Sequence, residues 1–174
     1  MGKVYRDFYL ADAVTVARQL PGMELIMASG EKYLRYVITE TEAYLGDGDR
    51  ACHASRGRTR RTEPMYLEGG HLYIYFVYGM HWMLNVVTGP ADHPQAVLIR
   101  GVSQYQGPGR VTKGLGVDGS FNREDLASSG RIWIEDTGFR PELIAGPRVG
   151  IDYAGEPWIS KPWRFIIRNE KEKI

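Results

Sequence analysis

Two carboxylates and an aromatic ring stand at alternate positions of one β-branched run, Ile38-Thr39-Glu40-Thr41-Glu42-Ala43-Tyr44. At the two-residue period of a strand, Ile38, Glu40, Glu42 and Tyr44 face one side, while Val37, Thr39, Thr41 and Ala43 face the other. Carboxylates are poor strand formers and costly to bury unpartnered, so the pair points to acid chemistry or, more blandly, to a solvent-facing edge strand. Two strand steps of about 3.3 Å put Glu40 and Glu42 roughly 6.6 Å apart. That lies near the roughly 6.5–9.5 Å separation of the acid pair in an inverting glycosidase. A second chemistry fits the surroundings, which are basic and aromatic rather than rich in acids and amides. One carboxylate can activate water for attack at an anomeric carbon whose leaving group is a nitrogenous base. Tyr44, His53 and Tyr75 would offer flat faces for stacking that base, with added attraction for a cationic one.

Composition frames these residues. The 174-residue chain is 43% hydrophobic and 25% charged, which is ordinary for a globular domain and argues against disorder. Its 21 glycines indicate many turns and disfavour a long helical bundle. The start, Met1-Gly2-Lys3-Val4-Tyr5-Arg6, has no apolar signal core, and Arg6 stands where a myristoylation signal needs Ser or Thr. No stretch has the apolar length of a membrane span, so an intracellular, cytoplasmic location without membrane contact is expected. A single cysteine, Cys52, excludes an internal disulfide and a multi-cysteine zinc site. His53, His71, His81 and His93 are scattered, and Cys52 and His53 are adjacent residues that face apart, so no metal is expected.

The net charge of +1 is uninformative, but its distribution is not. Arg50 to Thr62 holds five arginines and no acid. Arg100, Arg110 and Lys113 form a second basic stretch, and Lys161, Arg164 and Arg168 a third. Three such stretches around glycine loops suggest a phosphate-binding surface.

The positioning elements follow from local signals. Asp12 can cap a short helix with Ala13, Val16, Ala17 and Leu20 at helical spacing, stopped by Pro21-Gly22. Strands over 23–27 and 33–44 form a hairpin turning at Ser29-Gly30-Glu31-Lys32. Residues 46–70 form a long polar loop with a short helix near 51–55. The run His71 to Tyr78 is a strong strand; with Gly79-Met80-His81 and the run 82–88 it makes a second hairpin. Further strands are expected over 95–102, 132–135, 148–151 and 163–168, with a helix over 111–117 and a short turn capped near Ser120. The expected architecture is one mixed α/β domain, residues 1–174, with a curved, largely antiparallel sheet and short helices.

In the second hairpin Tyr73 and Tyr75 share a face, whereas Tyr78 sits where the strand ends, next to Gly79. An enzyme that reaches a base inside a duplex must extrude it and fill the gap, and a ring at a hairpin tip can act as that wedge. The bland alternative is that Tyr78 covers the end of the core.

Together these segments resemble the alkyladenine (3-methyladenine, or methylpurine) DNA glycosylases. The resemblance runs through Glu40-Thr41-Glu42-Ala43-Tyr44-Leu45-Gly46, Ala51-Cys52-His53, Leu72 to Met80 with Asn85, and Val97-Leu98-Ile99-Arg100. It continues through Gly107-Pro108-Gly109-Arg110, Ser120-Phe121 with Asp125-Leu126, Pro147-Arg148-Val149-Gly150 and Lys161 to Phe165. It implies a monofunctional base-excision repair enzyme that removes alkylated or deaminated purines from double-stranded DNA and leaves an abasic site. By position, Glu42 would be the general base, with Arg100 near the attacking water; Tyr44, His53 and Tyr75 would enclose the flipped base and Asn85 would shape the pocket. Tyr78 would intercalate, and Arg56, Arg58, Arg61, Met80, Arg110 and Lys113 would lie against DNA. Glu40 becomes a structural acid. No metal, cofactor or obligate protein partner is implied, and a monomeric, bacterial-type form acting at the nucleoid is expected. One departure stands out: where the family often has Asn-Arg, this chain has Glu63-Pro64 before Met65-Tyr66, which weakens the case for phosphate contacts in that loop.

Overall fold

A computed structural model describes residues 2–168. In chain order the elements are β1 (Gly2–Lys3), α1 (Arg6–Tyr9), α2 (Ala13–Gln19), β2 (Glu24–Ser29), β3 (Lys32–Tyr44), β4 (Leu72–Val77), β5 (His81–Val87), β6 (Ala96–Val102) and β7 (Tyr105–Gln106). They continue with α3 (Pro108–Leu115), β8 (Ile132–Asp136), β9 (Leu143–Gly146) and β10 (Arg164–Ile167). Short 3-10 turns join them. The strands form one sheet in the order β1-β8-β2-β3-β6-β5-β4, with β10 pairing β3 and β9, and β7 pairing β6. Every pairing among the described residues is antiparallel, which agrees with the mixed, largely antiparallel fold expected from sequence. No described helix is long and apolar enough to cross a membrane.

The spine of this sheet is β3, whose first half pairs with β2 and whose second half lies between β6 and β10. At the turn, Ser29 pairs with Lys32 around Gly30, which takes the left-handed φ of +60° that this tight hairpin needs. Helix α2 covers the core side; the Asp12 carboxylate caps it by accepting from the Val14 and Thr15 N–H groups. The buried Thr41 hydroxyl donates to the Ala17 carbonyl at 2.6 Å, tying β3 to that helix.

Strict alternation along β3 fails at one point. Tyr36 and Ile38 lie in the main core, and so does Ala43, with Thr41 also turned to that side. A register shift against β6 between Ile38 and Thr41 accounts for the change of parity. Ile38 therefore does not share a face with Glu42 and Tyr44, as simple alternation predicts. The bulge lets one strand fill the core before it and build a polar site after it.

Two other expectations are corrected. Residues 148–151 are not a strand: the Arg148 side chain turns inward to Asp49, and Gly150 takes φ +72°. The strand of this region is β9, pairing with β10. Helix α3 begins three residues before the expected 111, because Pro108 is suited to a first helical turn, and ends at Gly116 in the left-handed conformation.

Candidate active site

Glu42 lies on β3 between two other strands, paired with Leu98 of β6 and Arg164 of β10. Its side chain is 0% exposed. The Val149 N–H donates to its Oε1 at 2.7 Å, and the Tyr44 hydroxyl donates to its Oε2 at 2.8 Å. Arg100 Nε stands 3.5 Å from Oε1. Burial is the largest influence and pushes the Glu42 pKa up, while the Arg100 charge and the two donors pull it back. Burial thus favours the protonated acid while the cation and the donors favour the carboxylate, whose remaining lone pairs are free to accept a further donor.

Glu40 is held differently. One of its oxygens accepts from Arg100 Nε at 2.9 Å and from Arg164 Nε at 2.7 Å. This acid is neutralised by two guanidinium groups and sets Arg100 against Glu42. The two acids share Arg100, but Glu40 is committed to two guanidinium groups and is not free to act as a second catalytic acid.

Beside this polar floor lies a cavity of about 350 Å³, within the range of small-molecule sites. Its lining includes Tyr44, His53, Tyr75, Asn85 and Arg100, all five expected from sequence, together with Tyr73. Glu42 does not line it; Tyr44, Arg100 and Val149, the three groups that hold the carboxylate, do. The wall is aromatic: the His53 ring meets Tyr75 edge-on at 4.7 Å, and the Tyr73 and Tyr75 rings are 5.1 Å apart. His53 Nδ1 pairs with the Tyr73 hydroxyl at 3.1 Å. Burial, reinforced by Arg61 and Arg56, lowers the His53 pKa to about 4, so this ring is neutral across the physiological range. Asn85, buried on β5, donates from Nδ2 to the Tyr73 carbonyl at 3.1 Å. Burial also pushes the Cys52 thiol, another lining group, up to about 11, so it is an unreactive apolar surface.

The β4–β5 hairpin ends at the cavity mouth. Its register pairs Val77 with His81, leaving Tyr78, Gly79 and Met80 as the tip. Tyr78 has φ +54°, uncommon for a residue with a side chain, and is 90% exposed; Met80 is 66% exposed. Tyr78 also borders the cavity. It does not cover the core, so the bland reading of this residue fails.

The family model described as methylpurine-DNA glycosylase (MPG) matches residues 7–106 and 103–171. The chain belongs to the methylpurine-DNA glycosylase family. Relatives named "Putative 3-methyladenine DNA glycosylase" occur in Borrelia garinii subsp. bavariensis, 42% identical over 95% of this chain and 96% of its own length, and in Methanocella arvoryzae, 38% identical over 94% and 92%. A third, from Myxococcus xanthus, is 38% identical over 95% of this chain and 90% of its own length. As a member of this family the chain is an N-glycosyl hydrolase that acts on DNA, which bears on the cations expected from sequence to lie against it.

Those cations divide into two sets. Arg56, Arg61, Arg110 and Lys113 are exposed, and no carboxylate pairs with them among the described residues. Arg61 lies over the Tyr75 ring at 5.3 Å. Arg58, by contrast, is occupied: it holds Glu63 at 2.7 Å and Asp92 at 2.8 Å. The acidic departure at Glu63 thus takes up a cation of the arginine loop. Arg100 and Arg164 are turned inward to Glu40, and Arg168 pairs with Glu142.

Sequence reasoning assigned no role to four residues that the structure ties to the site. Tyr73 shares a face with Tyr75 and was legible from that alternation. Asp49 and Arg148 form a fully buried ion pair behind Tyr44, and nothing local signals it. Val149 supplies a backbone donor, which no side-chain pattern can reveal. No group of three or more His, Cys, Asp or Glu among the described residues is arranged to hold a metal.

Proposed function

We propose that the protein removes alkylated or deaminated purines, the 3-methyladenine, 7-methylguanine, hypoxanthine and ethenoadenine class, from double-stranded DNA. The damaged nucleotide swings out of the helix and its base enters the aromatic cavity between Tyr44, His53 and Tyr75. Tyr78 fills the vacated space in the stack, with Met80 beside it. Glu42 takes a proton from a water held near Arg100, and the resulting hydroxide attacks C1′ of the sugar. The C1′–N bond breaks with its electron pair going to the base, leaving a free base and an abasic site in an unbroken strand. A cationic base departs readily; a neutral one requires more stabilisation of its departure. The protein works as a monomer on this reading.

The observation that carries this proposal is the buried, triply contacted Glu42 carboxylate behind an aromatic cavity sized for a small molecule. A carbohydrate-hydrolysing acid pair is disfavoured because Glu40 is committed to Arg100 and Arg164. The test is base release from separate duplexes carrying 3-methyladenine, hypoxanthine and ethenoadenine, with alkali added afterwards to cut abasic sites. Base release without strand cleavage before alkali is expected for the 3-methyladenine duplex at least. Salt-sensitive binding to all three without release from any would instead mean a non-catalytic DNA-binding module.

A further inference from the structure

Asp49 and Arg148 are 99 positions apart in sequence, yet they form a bidentate pair, Nη1 to Oδ2 at 2.5 Å and Nη2 to Oδ1 at 2.9 Å, with both side chains 0% exposed. Neither residue lines the cavity. A sealed charge pair carries a desolvation cost that apolar residues would avoid, so its geometry needs a reason. The guanidinium lies between two rings, 4.8 Å from the centre of Tyr44 and 5.0 Å from that of Trp163. It also donates from Nη1 to the Ala43 carbonyl at 2.9 Å. Asp49 in turn accepts from the Leu45 N–H at 3.1 Å and the Ala51 N–H at 3.0 Å.

These contacts converge on Glu42 without touching it. Ala43 joins Glu42 to Tyr44; Tyr44 donates to Oε2; Val149, the residue after Arg148, donates to Oε1. We infer that Arg148, fixed by Asp49, is a positioning residue for base excision: it sets the Tyr44 hydroxyl and the Val149 N–H on the two oxygens of Glu42. This rests on reading Glu42 as the base. Arginine is needed because it offers two flat faces and a fork at once; a lysine ammonium could keep the charge but could neither stack between Tyr44 and Trp163 nor hold both Asp49 oxygens. The other charged groups around Glu42 are Arg100 and Glu40, the latter also held by Arg164, and the inference leaves them unchanged.

The test compares Arg148→Lys and Asp49→Asn with wild type in single-turnover base release across pH, alongside melting temperature and DNA binding. Misplaced donors favour the protonated Glu42, so the acid limb of the rate profile moves to higher pH, and excision at one fixed, mildly acidic pH falls roughly tenfold. The Asn variant moves less, because its Oδ1 still accepts backbone donors. A purely structural pair would lower the melting temperature and scale the rate equally at every pH, and an unmoved limb in folded protein would overturn the inference. If Arg148→Lys does not fold, Asp49→Asn decides the matter by the same criterion. Glu42→Gln separates the two failures. If that variant excises normally, the base reading is wrong and the inference falls with it; if it is inactive while the limb stays put in the Asp49 and Arg148 variants, only the inference fails.

Discussion

The floor and the rim of the cavity are built on opposite rules. On the floor every charge is answered: Glu40 by Arg100 and Arg164, Glu42 by Arg100 and two hydrogen-bond donors, and Asp49 by Arg148. At the hairpin tip that borders the cavity, Tyr78 stands 90% exposed in a strained backbone conformation, and among the described residues the exposed Arg56, Arg61, Arg110 and Lys113 have no acidic partner. The floor is organised in advance, as a site must be when charge develops during reaction. On the proposed function, a large anionic partner completes these unpaired groups. On the same reading, chemistry and recognition are assigned to separate groups.

Changes on the floor should damage chemistry, and the largest effect among its supporting groups is expected at Arg100. Arg100→Met leaves the Glu40 and Glu42 carboxylates facing each other without their shared cation, so single-turnover excision should fall by about 10²-fold while DNA affinity changes little. Because the Arg100 charge lowers the Glu42 pKa and Glu40 raises it, the acid limb of the rate profile should also move to higher pH. An unchanged limb would mean that Arg100 serves binding instead of the base. At the rim, Tyr78→Ala should lose about tenfold in kcat/KM, reflecting one lost base–aromatic stacking contact. A lesion placed opposite a gap should recover part of this loss, since less extrusion is needed; equal loss on both substrates would remove Tyr78 from the flipping step.

The smallest effects distinguish free cations from occupied ones. Arg110→Ala and Lys113→Ala should each reduce the slope of log binding constant against log salt by about one, without changing the saturated excision rate. Arg58→Ala should leave that slope unchanged, because its guanidinium is held by Glu63 and Asp92. If Arg58 carries as much salt dependence as Arg110, the division between free and committed arginines is wrong.

Much of this design was legible in the sequence where the determining interactions are local. The Asp12 cap, the two-residue turn at Gly30 and the hairpin ending at Tyr78 each depend on residues only a few positions apart. Glu42, Tyr44, His53, Tyr75, Asn85 and Arg100 were found through motif order, and the structure brings all six to one place. What remained hidden depends on distant partners. The bulge in β3 exists only through its register with β6. Residues 148–151 look like a strand because Val149 and Ile151 alternate with a polar and a small residue, but Arg148 is drawn to a partner 99 positions away. The fate of each arginine was equally unreadable: the eleven basic residues of the three stretches look alike in sequence, and only the folded chain separates Arg58 and Arg164 from Arg56 and Arg110.

The central claim is that Glu42 activates water, and Glu42→Gln tests it most directly when binding and single-turnover excision are measured on the same 3-methyladenine duplex at saturating enzyme. Gln keeps the shape of the side chain and an oxygen for the Val149 N–H, but it cannot take a proton. The account predicts wild-type affinity within a few-fold and excision reduced by at least about 10²-fold at every pH. Excision by Glu42→Gln within tenfold of wild type, at equal affinity, would contradict it.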